Sequence, residues 1–147
     1  MKNEIYDNML SAYGATTEQE RRNAIFEVNQ QVILAGLYNG GFFDVAAFYG
    51  GTCLRIFHGL QRFSEDMDFS LLAPDDKFDF TKYFQPIIDE FAIVGREVEI
   101  KKKDKKGFGK VESAFLKDNT DVYDVSFQTD KSIKIKIEVD TIIQIGR

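Results

Sequence analysis

Two adjacent glycines and a hydroxyl residue, Gly50-Gly51-Thr52, stand a short distance before a pair of spaced carboxylates, Asp66-Met67-Asp68. Few folds put those groups to use together. Val45-Ala46-Ala47-Phe48-Tyr49 reads as a short buried strand ending at glycines, which allow a tight turn and close approach of backbone to a ligand. Thr52 is expected to cap a short helix running toward Phe57 and His58. Met67 to Leu72 reads as the next strand. Alternate strand residues share a face with Cα atoms roughly 6.5–7 Å apart, so Asp66 and Asp68 are both expected to reach one metal centre. The helix start supplies N–H groups and a positive dipole end, which suit phosphate. The predicted layout is therefore phosphate on the loop and metal on the carboxylates.

The flanking segments fit a mixed α and β chain. Thr17-Glu18-Gln19-Glu20 has the form of a capping box, and Ile25, Val28, Val32 and Ala35 follow at helical spacing, which predicts a helix over 18–37 stopped by Asn39-Gly40-Gly41. Pro74-Asp75-Asp76 is a turn, and Tyr83, Phe84, Ile87, Ile88 and Phe91 predict an amphipathic helix over 80–93 ended by Gly95. Val98 to Lys102, Ser113 to Leu116, Val122 to Gln128 and Ile133 to Ile143 are rich in β-branched and aromatic residues and predict antiparallel strands. In the last of these the isoleucines take one face and Lys134, Lys136, Glu138 and Asp140 the other.

With 147 residues, 44% of them hydrophobic and fourteen of them phenylalanine, the chain has the makings of one folded domain over 1–147. The phenylalanines fall mostly at helix or strand periodicity and are expected in the core, not as a platform for bases. The longest apolar stretch, Val32 to Tyr38, falls far short of the ~20 residues that span a bilayer, and the polar N-terminus has no signal core. A cytoplasmic protein without membrane contact is expected. The lone Cys53 excludes an internal disulfide and reads as a packed helix residue. The single histidine, His58, has no neighbour that marks it as a base. Lys101 to Lys110 holds six lysines in ten residues, on a chain of formal charge −5. It suits either a solvated hairpin closed by Gly107-Phe108-Gly109 or a surface that steers a phosphate backbone.

Taken together, Gly50-Gly51-Thr52-x-Leu54-Arg55 and Arg62-x-Ser64-x-Asp66-x-Asp68-Phe69 resemble the signature of the AbiEii abortive-infection toxins, a branch of the polymerase-beta-like nucleotidyltransferase superfamily. Thr52 stands where the wider superfamily has serine. The match covers residues 50–70 and combines glycines, arginine, serine and two aspartates in one order. The resemblance implies an α+β, polymerase-beta-like fold with a mixed or antiparallel sheet flanked by helices. It also implies a Mg²⁺-dependent transfer of a nucleoside monophosphate from a nucleoside triphosphate to a hydroxyl acceptor, such as a tRNA end, with two Mg²⁺ ions and a cognate antitoxin.

Site residues follow from the same likeness. Asp66 and Asp68 would hold the metal. The Lys-x-Glu placement resembles the family's third acidic position, which falls on Glu138, with Asp140 one step along the same face as the fallback. Gly50, Gly51 and Thr52 would receive the phosphates. Arg62 and Ser64 would add triphosphate contacts, unless Arg62 instead anchors Asp66 or Glu65. AbiEii-like proteins usually continue past the third acid into a helical region with a lysine motif, whereas this chain stops at Arg147, so that region is expected to be missing. Two other uses of the residues stay open: a nucleotide- or partner-binding module without turnover, and transfer onto a small molecule such as an antibiotic.

Overall fold

The computed structural model describes residues 4–59, 65–75, 77–103 and 120–141. Its longest element is the capped helix. The Glu20 N–H donates to the Thr17 hydroxyl (3.0 Å) and the Thr17 N–H donates to the Glu20 carboxylate (3.1 Å), so the capping box closes in both directions. Helix α2, Glu18–Asn39, follows from it. It runs two residues past the expected end, to Gly40 as its C-cap. A short helix α1, Ile5–Ser11, precedes it and was not foreseen from periodicity. One buried side chain docks it: the Tyr6 hydroxyl donates to Asn29 Oδ1 at 2.9 Å, and the Arg96 guanidinium lies 4.3 Å from the Tyr6 ring centre.

Five strands form one sheet: β1 Ala46–Tyr49, β2 Met67–Leu71, β3 Val98–Lys102, β4 Thr120–Phe127 and β5 Lys134–Asp140, in the order β1-β2-β5-β4-β3. Strands β3, β4 and β5 are antiparallel neighbours, as expected, and so are β1 and β2. The one parallel pair, β5 beside β2, makes the sheet mixed, as the resemblance implied. The β4–β5 hairpin, turned where Ser132 N–H donates to Asp130 Oδ1 (3.0 Å), delivers β5 alongside β2 in the same direction. The result is an α+β fold on a mixed sheet. The predicted strand Ser113 to Leu116 and residues 104–110 of the basic stretch lie outside the described residues. Lys101, Lys102 and Lys103 sit 3.6–3.7 Å from the carboxylates of Glu99, Asp121 and Asp124, so this part of the basic stretch faces acids of its own sheet.

The predicted helix over 80–93 is two elements. Asp79 accepts from the Thr81 N–H and starts a 3-10 turn, Phe80–Tyr83, which passes into α4, Phe84–Ile93. Pro86 falls in the first turn of α4, where a missing N–H costs no helical bond. One face of the sheet is apolar and fully buried: Met67, Phe69, Ile137 and Val139 each show no exposed surface. Phe42 is the centre of an aromatic cluster over it, with ring centroids 5.2 Å from Phe69, 5.4 Å from Phe80 and 4.9 Å from Tyr83. The phenylalanines are thus chiefly core.

Helices α2 and α4 cross at Gly36. A Cβ built there would stand 2.8 Å from Ile87 Cα and 2.9 Å from the Pro86 carbonyl oxygen, both of them backbone. Neither atom can rotate aside, so the helices must separate to admit a methyl group. Gly36→Ala should therefore lower stability by about 2 kcal/mol in urea unfolding, despite the gain in helix propensity, as overpacked sites do. An unchanged midpoint would show that the crossing tolerates the extra atom.

Candidate active site

Helix α3 begins one residue after β1 ends. Tyr49 is its extended N-cap and Gly50–His58 its span, so Gly50, Gly51 and Thr52 are its first three residues. Glycine at position 50 meets a backbone need and leaves room for a close neighbour. Its φ is +84°, and a Cβ at this position would stand 2.8 Å from Asp68 Oδ2. The first turn of α3 is therefore packed against the carboxylate of the motif strand, and its N–H groups lie at the positive end of the helix.

Thr52 does not cap this helix, contrary to expectation. Tyr49 holds the cap position, and the Thr52 hydroxyl, fully buried, donates to the Asp66 carbonyl oxygen. The third residue of a helix's first turn points its side chain at the packed neighbour, here the segment entering β2. Threonine thus ties the glycine turn to the acid-bearing segment through the main chain.

Asp66 sits one residue ahead of β2, and its half-exposed carboxylate stands 3.9 Å from Lys136 Nζ. Asp68 lies within β2, side by side with Glu138 of β5 in the parallel register and with Tyr49 of β1 on its other flank. Burial first, then the adjoining Glu138 carboxylate and the charges of Asp66 and Asp140, push the Asp68 carboxyl up to about 7. Among the described residues no three histidine, cysteine or acidic side chains already form a closed metal cluster. The donors that do meet are hard carboxylate oxygens, the chemistry that Mg²⁺ prefers.

Asp140 behaves differently from Glu138. It is 9% exposed, its Oδ2 accepts from the Tyr49 hydroxyl at 2.7 Å, and its Oδ1 accepts from the Thr120 hydroxyl at 2.7 Å. The fallback third acid is thus held on both oxygens. Tyr49 and Thr120 escaped the sequence reading, because their contacts span 91 and 20 residues. Arg62 and Ser64 lie outside the described residues. Glu65 is held from helix α2: Arg22 Nη2 stands 3.3 Å from Glu65 Oε1, and Gln30 donates to the Glu65 carbonyl at 2.8 Å. Arg55, at the far end of α3, pairs with the buried Glu27 of α2 at 2.9 Å. His58 is exposed at the end of α3 and Cys53 is half-buried, its thiol pushed up by burial. Neither touches the acids.

The raised Asp68 carboxyl has a sign that can be checked. Between pH ~4 and 7 the native state keeps a proton that the unfolded chain loses, so stability is present at the acid end of that window and is lost as pH rises through 7. In metal-free buffer, Asp68→Asn should melt a few degrees above the parent at pH 8, and the gap should narrow steadily as pH falls, closing near pH ~4. A parent and variant that track each other across that range would show that Asp68 carries no such burden.

No helix among the described residues is long and apolar enough to cross a membrane. Among curated proteins none matches the chain. Two solved structures share its fold, JHP933 from Helicobacter pylori and a second H. pylori protein described as a presumed nucleotidyltransferase. Each aligns at a TM-score of 0.50 and 18% identity over 86% of this chain. The matches take in 45% and 47% of those proteins, so the chain spans about half their length. A family model described as nucleotidyl transferase AbiEii toxin, type IV TA system, matches residues 32–145, which include the glycine turn, Asp66, Asp68, Glu138 and Asp140. The chain belongs to the AbiEii nucleotidyltransferase toxin family.

Proposed function

We propose that this chain carries the site of a Mg²⁺-dependent nucleotidyltransferase, which moves a nucleoside monophosphate from a nucleoside triphosphate to a hydroxyl acceptor. The observation that carries it is the meeting of three elements: the first turn of α3 packed on Asp68, and Asp68 beside Glu138 across a parallel strand pair. Asp68 and Glu138 would hold the metal, and Asp66 would join them by turning from Lys136. Two ions are expected. When bound, Mg²⁺ supplies Lewis acidity and lowers the pKa of a coordinated hydroxyl.

The chain's own groups do the rest. The N–H groups of Gly50, Gly51 and Thr52 face phosphate oxygens and offset the charge that builds on a departing pyrophosphate. Arg62 and Ser64 are proposed as further triphosphate contacts. Asp68, its carboxyl pushed up by burial, loses its proton before it serves as a ligand. Lys136, released from Asp66, is left as a cation at the rim of the site. The acceptor we favour is an RNA end such as that of tRNA, in the cytoplasm, with the chain acting as the toxin paired with an antitoxin.

The test is thermal unfolding of the parent and of the Asp66→Asn/Asp68→Asn double variant with each nucleoside triphosphate, with and without Mg²⁺. Ligand at ~100 times its dissociation constant adds about 2.7 kcal/mol, a shift of several degrees. The expected result is a Mg²⁺-dependent shift with one triphosphate, absent in the variant, followed by label transfer from that triphosphate to RNA. A shift without transfer to any acceptor would favour the non-catalytic binding module. No shift at all would remove the nucleotide site.

A further inference from the structure

We propose that Tyr49 and Asp140 form a clamp that positions the metal-binding acids, with Asp140 acting through the sheet and not as a ligand; this rests on the nucleotidyl-transfer reading above. Tyr49 is the last residue of β1 and the N-cap of α3, so its main chain fixes where the glycine turn begins. Its side chain lies on the same sheet face as Asp68, its register partner, and as Glu138 and Asp140. From the edge strand β1 the phenol reaches past β2, the strand that carries Asp68, to Asp140 on β5. Thr120 on β4 closes on the same carboxylate from the other side. One buried acid therefore links, through two hydroxyl donors at 2.7 Å each, three strands around the site, β1, β5 and β4.

Two physical consequences follow. A carboxylate accepting on both oxygens keeps its orientation, so Asp140 is not drawn toward an ion two residues along its strand. It also pins the end of β5 against the start of α3. Glu138 on the one and Gly50 beside Asp68 on the other are thereby kept at a fixed separation. Deleting the Tyr49 hydroxyl leaves a buried carboxylate oxygen short of a donor, free to swing toward Asp68 and Glu138 and to disturb the donor set. Partners that orient ligands from behind in this way typically change metal affinity by about 10–100-fold when removed.

Metal binding by the full chain separates a positioning role from a merely structural one. Mn²⁺ would be titrated into metal-free protein and the free ion read by electron paramagnetic resonance, alongside the metal-free melting temperature. Tyr49→Phe is expected to bind Mn²⁺ about 10-fold more weakly, with its metal-free midpoint lowered by no more than a few degrees. Thr120→Val, which removes the other donor, should shift affinity in the same direction. Tyr49→Phe/Asp140→Asn should be no weaker than Asp140→Asn alone, since both act through one carboxylate. Parental Mn²⁺ affinity in Tyr49→Phe, or a lowered midpoint with affinity intact, would overturn the clamp while leaving the transfer site standing. Failure of the parent itself to bind Mn²⁺ would remove both.

Discussion

The parallel pairing of β2 with β5 is the constraint on which the site depends. Side chains alternate along a strand, so whatever fixes register on one face fixes it on the other. On the covered face, Met67, Phe69, Ile137 and Val139 are wholly buried, and each contributes roughly 1.5–3 kcal/mol by leaving water. A slip of β5 by one residue would turn Ile137 and Val139 outward and drive Glu138 and Lys136 into the aromatic core. The opposite face inherits the register, and with it Asp68 beside Glu138. Two full charges ~5 Å apart repel by about 3 kcal/mol at an effective dielectric of ~20. Core burial exceeds that severalfold, so the apolar face can hold together acids that would otherwise separate.

The second support is helix α2, which does more than fill space. Its buried middle carries polar groups that reach the other elements of the site: Gln30 to the Glu65 carbonyl, Glu27 to Arg55 of α3, and Asn29 to Tyr6 of α1. Arg22, one face over, meets Glu65. Such groups cost stability unless paired, and here the pairing ties the entry to β2 and the flank of α3 to one rigid rod. The Thr52 hydroxyl on the Asp66 carbonyl adds the direct link between the glycine turn and the acid-bearing segment. The phosphate end and the metal end of the site are thus held from behind as well as from the side.

How much of this was legible follows from the range of each interaction. The capping box of α2, the strand–glycine–helix unit at Ala46 to His58 and the acid strand at Met67 are set by neighbours within a few residues, and the sequence pattern announces them. The direction of β5 is not local. It depends on a hairpin and on which strand offers a free edge, so alternation at Ile133 to Asp140 shows a strand without its partner. Helix α1 is too short for periodicity to show, and its dock on Asn29 is a tertiary contact. At the site, residue type and spacing single out Asp66 and Asp68, and the family resemblance adds Glu138. Spacing alone could not separate Glu138 from Asp140, which share a face and a charge.

What separates those two acids is their company. Asp140 has a hydroxyl donor on each oxygen and little contact with water, so its charge is already compensated and its position taken. Glu138 has for its neighbour Asp68, an acid whose own carboxyl is pushed up to about 7 partly by Glu138's charge. A group that is satisfied by the protein gains little from a cation; two acids set side by side gain much. Thr52 shows the same logic in reverse, since a hydroxyl spent on the Asp66 carbonyl is not available to a phosphate, and the helix N–H groups are left to that task. Satisfaction by the fold, more than residue type or order along the chain, therefore marks which polar groups shape the site and which are kept for what binds there.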